Sequence, residues 1–358
     1  MLKTKIATVI RAEALDAHCQ LLEIDVEGEK RKAFAYTDLT GLFAVGDQAL
    51  VNVTATALKL GTGGYDFAIT NLSRPSAQSA DEPGHIVKLR YTPLQHSVLT
   101  EEEQESSSEL PSLQKLPVVA AGLHSQIAMI AAGVKAKAPQ ARIAYLMTDA
   151  AALPIAFSNL VRMLLEKKLI DETITCGQAF GGQREAVNLY SGLVVTKWKS
   201  QADVVIVCQG PGNVGTDTAL GYSGIEVGQI INAVHSLGGR PICCLRMSQA
   251  DRRERHRLIS HHSLTALSKI ALAAALVPVP WMDDSLTEEA HRQLALLKLF
   301  EQHEIGSFDG QPGMDLLERE AIDVRSMGRG FDDDRVFSLA ASAAGRAAAE
   351  MLSGDFEG

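Results

Sequence analysis

The chain has 358 residues, more than the roughly 100–200 of one typical domain, so two domains are expected. It is 46% hydrophobic and 22% charged, which excludes a largely disordered chain. A formal net charge of −9 repels phosphate backbones at long range and argues against a nucleic-acid partner. The one short basic run, Arg252-Arg253-Glu254-Arg255-His256-Arg257, reads as a solvated helix face.

The opening β-type runs fall at 5–10, 19–26, 32–36, 49–56 and 65–70, punctuated by Gly28, Gly46-Asp47 and the Gly61-Thr62-Gly63-Gly64 loop. Several short strands without a long helix predict a small β-barrel-like domain over residues 1–98. Residues 84–94 form a further extended run. Residues 100–110 are acidic and serine-rich and precede Pro111 and Pro117, so 99–116 reads as a solvated linker or long loop.

From 117 to 358 the rhythm becomes strand–helix alternation. Apolar runs stand at 118–121, 143–147, 173–176, 204–208, 241–245 and 275–279, separated by helical stretches at 125–137, 153–167, 184–199, 224–237 and 263–272. This pattern predicts an α/β, largely parallel, Rossmann-like sheet with helices on both faces. Strands apolar throughout, rather than alternating, fit a sheet buried on both sides. Two later helical segments, 287–303 and 334–352, are expected at its edge. No run approaches the roughly 18 apolar residues a membrane span needs, and residues 1–10 read as a strand rather than a leader. A cytoplasmic location with no membrane partner is expected. Five cysteines, odd in number and without a Cys-x-x-Cys pair, read as buried reduced thiols.

Ligands of open parallel sheets bind outside the carboxyl ends of the strands, so the residues following each strand are the candidates. Gly210-Pro211-Gly212-Asn213-Val214-Gly215-Thr216 is a Gly-x-Gly-x-x-Gly after a strand, and Gly210, Gly212, Gly215 and Thr216 are candidate anion contacts. A dinucleotide is disfavoured: the motif follows the fourth strand, Gly221 and Gly224 interrupt the next helix, and the following strand ends in Arg246 rather than an acid. Arg246 and Ser248 would suit a 2′-phosphate, so NADP stays open.

The segment 246–262 is the densest polar stretch. Arg246, Arg253 and Arg255 are candidate anion ligands, and Asp251, His256 and His261 candidate proton carriers. Three histidines and an acid also suit a divalent metal, although adjacent His261 and His262 cannot both face one site on a regular helix. Capping and packing explain the same residues without chemistry. His124 and Asp149, at two other strand ends, are further candidate ligand contacts. Ser125 reads as a helix cap, and Glu185 as lying one turn into a helix. The absence of Gly-x-Ser-x-Gly argues against a Ser-His-Asp hydrolase.

Taken in order, LGTGGYDF (60–67), GHIVKLRYTPLQ (84–95), GLHSQ (122–126), MTDAAALP (147–154), AFGGQREAVNLYS (179–191), QGPGNVGT (209–216), DRRERHRLISHHSLTAL (251–267) and MGRGFDDDRVF (327–337) resemble a bacterial family, domain of unknown function 3866. The resemblance implies no activity and assigns no catalytic residue. The reading of the residues themselves is a ligand-binding α/β protein, with catalysis left open, acting on a small anionic, phosphorylated metabolite. The alternative is a non-catalytic sensor or scaffold that binds an effector and a protein partner. A homo-oligomer stays open.

Overall fold

The computed structural model describes residues 1–60, 63–74, 84–104, 111–326 and 328–354. The chain divides into two compact units, Met1–Leu99 and Thr100–Gly358.

In the first unit, β1 (Thr4–Ala14), β2 (Cys19–Val26), β3 (Glu29–Tyr36), β4 (Gln48–Asn52) and β5 (Tyr65–Asn71) close into a barrel of order β1-β2-β3-β5-β4. All neighbours are antiparallel except β3 and β5. Alternation sends Val9, Leu22, Ile24, Ala33 and Val51 inward, and the many alanines keep the interior narrow. The β2–β3 connection is two residues, Glu27-Gly28, with φ of 57° and 89°, the turn whose twist matches a hairpin. Gly61 and Thr62 of the expected glycine loop lie outside the described residues. The extended run at 84–94 is half of a hairpin between β6 (Ile86–Lys88) and β7 (His96–Val98).

The second unit is an eight-stranded parallel sheet of order β11-β10-β9-β12-β8-β13-β16-β17. Its strands are β8 (Pro117–Ala120), β9 (Ile143–Thr148), β10 (Glu172–Thr175), β11 (Arg184–Glu185), β12 (Val204–Gln209), β13 (Arg240–Cys243), β16 (Leu276–Pro280) and β17 (Glu304–Phe308). A separate antiparallel pair, β14 (Met247–Ser248) and β15 (Leu258–Ile259), lies between β13 and β16 in the chain. Helices cover both faces, so β8, β9 and β12 are buried along their whole length. The fold is therefore Rossmann-like.

Glycine and alanine set how closely the helices approach. A Cβ on Gly345 of helix Arg335–Ser353 would overlap the carbonyl oxygen of Ile130 in helix Gln126–Lys137, and one on Gly133 would overlap that of Ser342. The two helices thus meet backbone to backbone. All five cysteines are buried and none forms a disulfide, and burial pushes the Cys243 thiol up to about 12.

Four expectations need correction. Arg184–Glu185 is an edge strand, not helix: Gly181-Gly182 turns the chain back beside β10, and the helix starts only at Leu189, capped by the Asn188 side chain. Ser125 makes no side-chain cap; its hydroxyl bonds to Ser326. The 287–303 segment is two helices, Asp284–Leu296 and Leu299–Gln302, followed by the unforeseen β17 and helix Gln311–Arg319. The acidic stretch is anchored at its start, because Glu101 pairs with Arg184 at 2.9 Å and Glu102 accepts from the Val187 amide at 2.8 Å. At the far end of 99–116, Leu113 and Leu116 are buried; residues 105–110 lie outside the described residues.

Candidate functional site

The loop after β13 makes the site. Its base is closed by Ser260 N–H donating to the Arg246 carbonyl (2.8 Å), by Arg246 N–H donating to the Ser263 hydroxyl (2.9 Å), and by the β14–β15 pair. Leu258 returns the chain with φ of 56°, a left-handed conformation costing on the order of 1 kcal/mol for a residue with a Cβ. Residues 249–257 therefore form a pinned excursion, and Ser248 and the Gln249 amide bond to buried Asp334 at 2.6 and 3.1 Å.

A cavity of about 330 Å3 is lined by Asn213, Val214, Gly215 and Thr216 on one side and by Arg246, Arg253, Arg255, His256 and His262 on the other. The post-β12 loop and the 246–262 segment thus share one cavity at the carboxyl edge of the sheet. The glycines of the loop serve it unequally. Gly210 is required by the Ala152 carbonyl, which a Cβ would overlap, and Gly212 by its φ of 102° with open space around it. Only Gly215 of the three lines the cavity.

Two amides of the Gly-x-Gly-x-x-Gly loop are committed within the protein. Val214 N–H donates to Ser223 Oγ and Thr216 N–H to the Gly221 carbonyl, so these amides are already used. The next α-helix opens at Glu226, a buried carboxyl that accepts the Thr148 hydroxyl, rather than at a small residue that would let a pyrophosphate approach.

Charge in the cavity is organised by Asp251. Its carboxylate accepts from Arg253 Nε (2.9 Å) and Nη2 (2.7 Å) and lies 3.4 Å from Arg246 Nη2. The Arg253 guanidinium holds it far below the usual carboxylate range. Asp251, expected as a proton carrier, instead works as a fixed anion that aims two guanidiniums. Arg255 pairs with exposed Asp217.

The three histidines converge. Ring centroids of His256, His261 and His262 lie 4.3–5.1 Å apart, and one nitrogen from each falls within 4.8 Å of the others'. Adjacent His261 and His262 both face this cluster, against the expectation from regular helix geometry. They open the short helix His261–Thr265, and Ser260 organises the group: its hydroxyl accepts from the His262 amide and lies 2.7 Å from His256 Nδ1. Burial first, and the neighbouring arginines second, lower His256 to about 4; burial and His261 lower His262 to about 3. His262 also stacks on Tyr222 at 3.8 Å. Arg255 Nε–H points at His256 Nε2 (3.4 Å) and Arg246 Nη1–H at His262 Nδ1 (3.3 Å), which makes those two nitrogens acceptors. Three neutral bases thus stand beside three cations.

His124 and Asp149 do not line this cavity. His124 keeps some open surface, yet its ring sits deep enough for burial to lower it to about 4; it braces Ser158 Oγ (2.7 Å), the Tyr145 hydroxyl and the Gln209 carbonyl. Asp149 accepts from the Gln178 amide at 2.8 Å. Nearby in the topology, Glu226 receives the Thr148 hydroxyl at 2.8–2.9 Å, and burial raises it to about 7, with Asp149 adding to the rise. Glu226, Tyr222 and Asp334 were missed from sequence. Asp334 carried a signal, since it stands inside the MGRGFDDDRVF segment.

The first unit has a cavity of its own, about 610 Å3, lined by Lys30, Lys32 and Lys59 together with Glu23, Glu29 and Thr56.

Fold and site together define a Rossmann-like α/β protein with a closed-barrel unit and an arginine–histidine cavity at the carboxyl edge of its sheet. The chain belongs to the family described as protein of unknown function DUF3866, whose sequence model matches residues 32–345. No curated protein matches it. No helix among the described residues is long and apolar enough to cross a membrane.

Proposed function

We propose that the second unit binds a small anionic, phosphorylated metabolite in the cavity between the 213–216 loop and the 246–262 segment. The observation that carries this reading is the convergence of Arg246, Arg253 and Arg255 on one cavity in which Asp251 is the main buried counter-charge. Guanidinium forks match phosphate oxygens in pairs, and the edge of a parallel sheet is where such ligands sit. The neutral imidazoles of His256 and His262, also lining the cavity, would accept or relay a proton beside the bound anion.

Calorimetric titration with inorganic phosphate and a panel of phosphate monoesters tests this. At least one ester should bind one-to-one, and R253A should weaken it by about tenfold or more. Failure of every ester to bind, or binding indifferent to R253A and R255A alike, would sink the reading. Binding of an ester with no turnover on incubation would point to a sensor rather than an enzyme.

A further inference from the structure

An arginine pocket needs no histidine cluster, and the cluster has features that anion binding leaves unexplained. Three imidazoles are packed ring against ring, and His261 Nε2 is buried without a hydrogen-bond partner among the described residues. The acceptor nitrogens of the other two meet long contacts, 3.4 Å from Arg255 to His256 Nε2 and 3.3 Å from Arg246 to His262 Nδ1, while His256 Nδ1 lies 2.7 Å from the Ser260 hydroxyl.

We infer that His256, His261 and His262 form a site for a divalent transition metal ion, with an open coordination position turned toward the anion held by the arginines. This deepens the phosphate reading and rests on it for the identity of the fourth ligand. Imidazole-only ligand sets suit zinc, copper, nickel or iron, and not magnesium or calcium. Three protein nitrogens plus one exchangeable ligand is the pattern of an open zinc site. Metal–nitrogen bonds of about 2.0–2.1 Å in a tetrahedron put ligand nitrogens about 3.3 Å apart. The present 4.8 Å limit therefore closes by shifts on the order of 1 Å.

The arginines make the metal and the anion dependent on each other. A bare dication beside Arg246, Arg253 and Arg255 is repelled, and two guanidinium N–H groups already occupy imidazole lone pairs. An arriving phosphate draws the guanidiniums to its own oxygens, frees His256 Nε2 and His262 Nδ1, and supplies negative charge. Metal and phosphate should then tighten each other by the same factor.

The test uses the full chain stripped with a chelator. Co2+ is titrated and followed by its visible absorption, and Zn2+ by calorimetry, each with and without inorganic phosphate. The inference expects one equivalent bound, at least tenfold tighter with phosphate. H261Q, at a partly exposed ring, should weaken Co2+ at least tenfold while the melting temperature holds; H262Q provides a second reading should H261Q fold poorly. R255A should remove most of the phosphate enhancement without weakening Co2+ alone. No one-to-one binding of Co2+ or Zn2+, or binding that survives both histidine substitutions, overturns the metal site. Phosphate binding that R253A weakens, without metal binding, overturns this inference and leaves the anion pocket standing. Metal binding lost in H261Q but indifferent to phosphate keeps the metal site and overturns its coupling to the anion.

Discussion

The carboxyl edge of the sheet carries two polar corners that burial pushes in opposite chemical directions. Around His256 and His262 it strips protons from bases; around Glu226 it adds a proton to an acid. Either way the titratable group moves toward neutrality, because a low-dielectric surrounding disfavours charge of both signs. What survives as fixed charge is the set held ionised: Arg246, Arg253 and Arg255, with Asp251 pinned between two of them. The field of this edge is set by its guanidiniums and the Asp251 they hold, while the neutralised groups keep their chemistry in reserve.

The sharpest way to break that comparison is to remove the fixed charge on one corner only. R253A/R255A should weaken phosphate binding about a hundredfold, by the usual strength of two charge-assisted contacts. E226Q should change it less than about twofold, measured by the same calorimetry. Equal losses from both would merge the corners into one site.

The next largest effect is on stability. The Glu226 carboxyl rises from 4.5 to about 7 in the folded chain, so its contribution is fullest below pH 4.5 and is lost as pH climbs through 7. E226Q should therefore gain on the native chain between pH 5 and pH 8 by about 2–3 kcal/mol, read from urea midpoints. The helix N-terminus at Glu226 favours the anion and trims that figure. Asp251 behaves in the opposite sense: its depressed carboxyl contributes above pH 3.8 and loses that contribution in acid. D251N should cost about 2 kcal/mol at neutral pH, with the difference vanishing as acid protonates the native residue. A flat pH dependence for both variants would remove the contrast between the corners.

The smallest effect concerns His124, which the sequence grouped with the ligand contacts. Its partner Ser158 caps helix Asn159–Glu166 through the Val161 amide. S158A should cost about 1 kcal/mol in a thermal melt and leave phosphate affinity unchanged, as expected for a brace.

Much of the architecture could be read from the chain because burial on both faces leaves runs such as 204–208 apolar throughout. The arginine segment was also legible, because ligands of open parallel sheets sit outside the carboxyl ends of the strands; the two loops follow β12 and β13, which flank β8 in the sheet. Side-chain direction was not. Whether His261 and His262 converge depends on where the helix begins, and that is fixed by Ser260 bonding both to the His262 amide and to His256. Nor does Gly-x-Gly-x-x-Gly spacing reveal that Gly210 makes room for Ala152 and Gly212 serves its own φ. Nothing in the sequence marks Glu226; its burial against Thr148 is what makes it unusual. Edge strands as short as Arg184–Glu185 have too few residues to show a period.

The backbone-to-backbone seat of helix Arg335–Ser353 bears on when the pocket comes into being. Asp334, which anchors Ser248 and the Gln249 amide, is the residue just before that helix, and Gly345 and Gly133 dock the helix against one near the start of the unit. Ribosomal synthesis delivers Asp334 and Gly345 after every strand of the described residues, since β17 ends at Phe308. A nascent chain halted before Asp334 holds its complete set of strands and still lacks the clasp on its arginine loop. Ligand capture would then mark the completion of folding rather than accompany it.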